Sequence, residues 1–143
     1  MTIEKQVLPR KPLLPNQPGA WLGMMGGGQL GRMFTQAANA MGYQVAVLEP
    51  EQGCPAAQIA QHHVSAAYTS KDGLRELVKY ARHFTTEFEN VPAKALDILS
   101  NSGFVAPASH AVSICQNRAL EKAHFTSCGV ACAPYAVIST LEN

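Results

Sequence analysis

Ala20-Trp21-Leu22-Gly23-Met24-Met25-Gly26-Gly27-Gly28-Gln29-Leu30-Gly31-Arg32-Met33 is the stretch on which the reading of this chain turns. An apolar run leads into three consecutive glycines. Apolar residues then recur at Leu30, Met33, Phe34, Ala37, Ala38 and Met41, the spacing of one face of an amphipathic helix. The pattern predicts strand, tight turn and helix. Glycines tolerate positive φ and let a ligand approach the backbone, while the first helical turn offers unpaired N–H groups at the positive end of its dipole. The expected product is an anion site, with phosphate as the anion that suits it.

Working outward, Gly26-x-Gly28-x-x-Gly31 satisfies the dinucleotide-binding pattern, and Glu49 ends the next apolar run, where such folds place a ribose-binding acid. Alone, that pattern does not separate a nucleotide site from glycines that merely permit a close strand-to-helix turn. Gly42 caps the first helix and Gln44-Val45-Ala46-Val47-Leu48-Glu49 reads as a second strand. A strand-helix-strand unit of this length implies a right-handed crossover and a parallel sheet.

At 143 residues the chain is about one domain, large enough for a real core. Its 47% hydrophobic and 15% charged residues, with net charge +1, give no sign of a polyanion-binding surface, so nucleic acid is not an expected partner. No apolar run approaches the ~20 residues that cross a bilayer, and the N-terminus lacks a signal peptide's apolar core, so no membrane is expected either. Cys54, Cys115, Cys128 and Cys132 form no C-x-x-C pair. They read as reduced thiols of a cytoplasmic protein.

Residues 1–19, with Pro9, Pro12, Pro15 and Pro18, predict an extended or disordered arm. After Pro50, Gly53 and Pro55, Ala56 to Gln61 predicts a short helix, and Val64 to Tyr68 an extended piece. His62-His63 invites a metal reading, but neighbours on an extended chain point to opposite faces, so a solvated loop is the expectation. Leu74, Leu77, Val78 and Ala81 keep helical spacing. Phe84-Thr85-Thr86-Glu87-Phe88-Glu89-Asn90-Val91-Pro92, read as a strand, places Glu87 and Glu89 on one face near the strand end, where ligands of open α/β sheets collect. Either acid has a plainer reading as a solvated rim residue. Pro92 opens a helix over Ala93 to Ser100, Phe104-Val105-Ala106 is a brief strand, Ser109 caps a further helix, and Ala119 to Cys128 continues helical. Val130 to Ile138 is extended, and Ser139-Thr140-Leu141-Glu142 has the form of a capping box. A helix start with none following is what a chain cut from a longer protein would show.

Three segments together, Gly26-Gly27-Gly28-Gln29-Leu30-Gly31-Arg32-Met33, Glu87-Phe88-Glu89-Asn90-Val91-Pro92, and Gln116-Asn117-Arg118 with Lys122, resemble the N5-carboxyaminoimidazole ribonucleotide synthetases in order and spacing. These are ATP-grasp ligases of purine biosynthesis. The resemblance covers about residues 20 to 143. It implies an α/β, Rossmann-like pre-ATP-grasp domain over 20–107, a mostly parallel sheet flanked by helices, and over 108–143 a linker helix and the start of an ATP-grasp domain. It also implies the chemistry: ATP activates bicarbonate as carboxyphosphate, and the carboxyl group passes to the exocyclic amine of 5-aminoimidazole ribonucleotide. Carried onto this sequence, Gly28, Gln29 and Leu30 face the ribonucleotide, Glu87 points at its base or amine, and Arg118 reaches the ATP phosphates.

The family's ATP-holding lysines, glycine-rich flap and magnesium-binding acids would lie beyond Asn143, and Glu49, Glu51, Glu87 and Glu89 form no convincing magnesium cage. The chain alone is therefore expected not to turn over ATP, and the full-length family is commonly homodimeric. Two other classes stay open: a nicotinamide-binding domain of an oxidoreductase, resting on the glycines and Glu49, and a non-catalytic ribonucleotide-binding or assembly module.

Overall fold

The computed structural model describes residues 13–138 and Thr140. Of the expected capping box at 139–142 all but Thr140, and residues 1–12 of the arm, lie outside the described residues. The elements follow in the order β1 (Trp21–Met25), α1 (Gln29–Ala40), β2 (Gln44–Leu48), β3 (His62–Val64), α2 (Lys71–Tyr80), β4 (His83–Thr86), α3 (Ala93–Ser100), β5 (Phe104–Val105), α4 (Ser109–Cys115) and α5 (Arg118–Ser127). The strands form one five-stranded sheet in the order β3-β2-β1-β4-β5, and every pairing is parallel. This is the expected α/β, Rossmann-like architecture.

Strand alternation splits the core in two. Met24, Val45 and Val47 face α1 with Ala38 and Ala56. Met25, Ala46, Leu48 and Phe84 face the other way, against Leu74, Leu77, Leu96 and Leu99 of α2 and α3. The strand order reverses on either side of β1, so the segments leaving β1 and β4 diverge to opposite faces and leave a crevice between them.

The apolar face expected of α1 is buried only in part: Ala38 is buried and Phe34 packs against the core, but Leu30, Met33 and Met41 stay outside. Leu30, Met33 and Met41 are 60%, 65% and 62% exposed, whereas Gly31, Thr35 and Ala38 are buried. The helix lies too close to the sheet for long side chains. A Cβ on Gly31 would sit 2.9 Å from the Gly26 carbonyl oxygen, and the buried Thr35 hydroxyl donates back to the Gly31 carbonyl at 2.7 Å.

Other expectations change locally. Ala56 to Gln61 forms turns, not a helix, with Ala60 N–H donating to the Ala56 carbonyl. His62 and His63 are half-buried in β3 and not in a solvated loop: His62 stacks on Tyr80 at 4.1 Å, and His63 Nε2 lies 2.9 Å from the Glu49 carbonyl oxygen. Ala108, not Ser109, precedes α4 as its cap. Of the arm, residues 13–19 make turns pinned to the α1–β2 junction, where Asn16 N–H donates to the Gly42 carbonyl at 2.9 Å and Tyr43 O–H to the Leu13 carbonyl at 2.9 Å.

Candidate functional site

At the crevice, the glycine turn after β1 meets two carboxylates. β4 ends at Thr86, and Glu87 to Asn90 leave the sheet in bends and a turn. The strand reading that put Glu87 and Glu89 on one face therefore fails. Glu87 turns into the glycine loop, while Glu89 is exposed and meets Asn90 Nδ2 at 3.4 Å.

Glu87 Oε1 accepts the Gly28 N–H at 2.8 Å and Oε2 accepts the Gly31 N–H. The second acid, Glu49 at the end of β2, accepts the Gly27 N–H at 2.9 Å and the Tyr68 hydroxyl at 2.5 Å, both on Oε2. The entrance to α1 is thus not the row of bare amides expected from its glycines. Gly28 brings no side chain to cap this helix and its first turn carries no acid, so a carboxylate from another strand end takes that role. Among the described residues, the N–H groups of Gln29 and Leu30 are left without a protein acceptor.

The glycines are explained by the same approach. Gly26 has φ +108°, and a Cβ there would lie 2.5 Å from Glu87 Cγ. A Cβ on Gly28 would lie 2.9 Å from Glu87 Oε1, and one on Gly27 would lie 2.6 Å from Glu49 Cγ and collide with the sulfur of Cys54. The motif first makes room for the protein's own acids. Its arginine is also structural: Arg32 Nη1 donates to the Pro55 carbonyl at 3.1 Å and to Gln58 Oε1 at 3.0 Å, tying α1 to the segment after β2.

The surfaces left open around Glu87 are two adjoining clefts. One, of about 240 Å³, is lined by Gly27, Gly28, Glu49, Glu51, Tyr68 and Glu87. The other, of about 310 Å³, runs from Glu87 and Phe88 past Glu89 to Ala111 and Cys115 of α4. The acids of the first cleft suit hydroxyl and amine donors, and the Gln29 and Leu30 amides suit an anion. Burial and the Glu49 carboxylate push the Tyr68 phenol well above its ordinary value, so it stays a neutral donor.

The third sequence segment braces the second. Gln116 Nε2 donates to the carbonyls of Glu89 and Val91, each at 2.7 Å, and Asn117 Oδ1 caps α5 by accepting from Ala119 and Leu120 N–H at 3.0 and 3.1 Å. Arg118 opens α5 with its guanidinium exposed and paired with Glu121. It does not join the Glu87 cluster. Tyr68 and Gln116 escaped sequence reading, Tyr68 for want of any motif and Gln116 because its segment pointed only to Arg118.

Residues 20–116 match the family model of the ribonucleotide synthetase preATP-grasp domain. The chain belongs to that family. This pre-ATP-grasp domain is 42% identical over 127 residues to an N5-carboxyaminoimidazole ribonucleotide synthase of Brucella melitensis, a match covering 89% of this chain and 35% of the relative. In structure it resembles the ADP complex of an N5-carboxyaminoimidazole ribonucleotide synthetase, with a TM-score of 0.80 and 36% identity over 86% of this chain and 32% of that one. It also resembles the Aspergillus clavatus synthase in complex with ADP and 5-aminoimidazole ribonucleotide, with a TM-score of 0.69 and 34% identity over 76% of this chain and 29% of that one. The pre-ATP-grasp chain thus spans about a third of the length of the curated relatives it matches.

No helix among the described residues is long and apolar enough to cross a membrane. Among the described residues no three or more His, Cys, Asp or Glu side chains are grouped so as to hold a metal ion.

Proposed function

We propose that this chain is the substrate-side domain of an ATP-dependent carbon–nitrogen ligase that carboxylates 5-aminoimidazole ribonucleotide with bicarbonate to N5-carboxyaminoimidazole ribonucleotide. The observation that carries this reading is the meeting of Glu87 with the α1 entrance in a chain whose relatives bear that name. Gln29 and Leu30 offer their amides to the ribonucleotide phosphate, with Gly28 shaping the turn before them. The Glu87 carboxylate, held by Gly28 and Gly31, keeps acceptor lone pairs for the amine or base of the substrate. ATP, bound by the rest of such a ligase, supplies the activating phosphoryl group. This chain's own part is to bind and orient the nucleophile.

The proposal extends to Arg118 as a phosphate-facing residue for ATP, magnesium accompanying ATP outside these residues, a homodimeric assembly of the whole ligase and a cytoplasmic location. The support for these is the family resemblance. The nicotinamide reading rests on the glycines and Glu49 and gives no role to the segments of Glu87 and Gln116, which meet at the crevice.

Titration calorimetry of the chain with 5-aminoimidazole ribonucleotide, beside NAD, tests the reading. Saturable heat with the ribonucleotide and none with NAD is expected, together with no ATP hydrolysis when bicarbonate is added. Binding of NAD alone would overturn it.

A further inference from the structure

Tyr68 lines the 240 Å³ cleft together with Glu49 and Glu87. Its hydroxyl donates to Glu49 Oε2 at 2.5 Å, the same oxygen that accepts the Gly27 N–H at 2.9 Å. Its ring meets Phe88 edge-on, centroids 6.2 Å apart, and Phe88 directly follows Glu87. Glu49 is tied at its other polar atoms too: Oε1 accepts from the Glu51 N–H at 3.3 Å, its own N–H donates to the Val64 carbonyl at 3.1 Å, and its carbonyl meets His63 Nε2. Of the donors to the carboxylate, two are backbone amides and the phenol is the one side chain, holding Oε2 toward Gly27.

We propose that Tyr68 is a positioning residue of the ribonucleotide site: its hydroxyl holds the Glu49 carboxylate on the Gly27 amide and thereby sets the glycine turn from which the Gln29 and Leu30 amides project. The inference rests on the ribonucleotide reading above. Without the hydroxyl, Glu49 keeps only the Gly27 and Glu51 amides as donors and gains freedom to turn toward the open cleft that it lines with Glu51 and Glu87. The turn then samples other orientations, and a ligand that needs one orientation binds more weakly by the fraction lost. The ring itself, seated on Phe88, is untouched in Tyr68→Phe.

The experiment is a double-mutant cycle on the chain, using Tyr68→Phe, Glu49→Gln and both, with 5-aminoimidazole ribonucleotide affinity and thermal midpoint as readouts. The expected result is about tenfold weaker binding for each single variant and no further loss in the double, with the Tyr68→Phe midpoint near wild type. A Tyr68→Phe variant binding as tightly as wild type, or losses that simply multiply, would overturn the proposal. If wild type itself shows no ribonucleotide binding, the functional reading fails instead. Amide exchange at Gly27 then decides the brace: faster exchange in Tyr68→Phe upholds it, and unchanged exchange removes it.

Discussion

Glu87 and Gly28 are 59 residues apart in sequence, yet the carboxylate of the first lies 2.8 Å from the amide nitrogen of the second. A glycine turn that looks built for a foreign anion already holds one of the protein's own. The charge of Glu87 lies against the positive end of α1, so the same side chain stabilises the helix and faces the crevice. Structural and binding roles are therefore joined in this residue.

Glu87→Ala removes the acceptor of two amides and leaves α1 without a cap. A loss of about 1–3 kcal/mol is expected, by analogy with lost caps and charged hydrogen bonds, along with weaker ribonucleotide binding. Urea denaturation and calorimetry on the same samples check both. Unchanged stability would mean that solvent replaces the carboxylate at no cost.

The glycines rank by what a methyl group would meet. At Gly26, with φ +108° and Glu87 Cγ 2.5 Å away, alanine suffers both strain and collision, costing about 2 kcal/mol or more. At Gly53, φ is +71° but nothing lies within 4 Å, so the cost falls to about 1 kcal/mol. Gly28 has an ordinary φ of −73°, so Gly28→Ala should displace Glu87 without backbone strain, lowering ribonucleotide affinity more than stability. Thermal midpoints of the three variants, with binding for Gly28→Ala, test this order.

The raised Tyr68 phenol gives a pH signature. Burial comes first among its causes, then the hydrogen bond to Glu49 and the charges of Glu49 and Glu87, all favouring the neutral phenol in the fold. Its contribution to stability is fully present below the unfolded value, about pH 10, and is lost as pH rises through the folded value. Above about pH 10 the wild-type urea midpoint should fall more steeply than that of Tyr68→Phe, with parallel behaviour below it. Curves that stay parallel above it would contradict the assignment.

Cys54 is buried under Gly27, and burial raises its thiol above the ordinary value, with the Glu49 and Glu51 charges adding to the effect. Cys115 and Cys128 are exposed. Iodoacetamide at pH 8 should label those two at least tenfold faster than Cys54, which should become reactive only on unfolding. Mass mapping of the labelled peptides reads the result.

The parallel sheet was legible because it rests on local patterns: an apolar run, a glycine turn and a second β-branched run at crossover distance. The three motif segments carried the family for the same reason, since each is contiguous. What α1 buries was legible only in part. Periodicity counts apolar residues and found Ala38 and Phe34, whereas the helix–sheet distance selects small ones, so Gly31 and Thr35 also went inside and Leu30 and Met33 stayed out. The site divides in the same way. Its parts, Gly28, Gln29, Leu30 and Glu87, were visible as residue types in order, but β4 ends one residue before Glu87, and only that departure turns the acid into the loop. Sequence by itself determined the strand-helix-strand framework around the glycine turn and which chemistry is available. Tertiary structure alone decided which groups consume one another, because hydrogen bonds spanning 59 and 22 residues depend on how chain segments meet across the sheet.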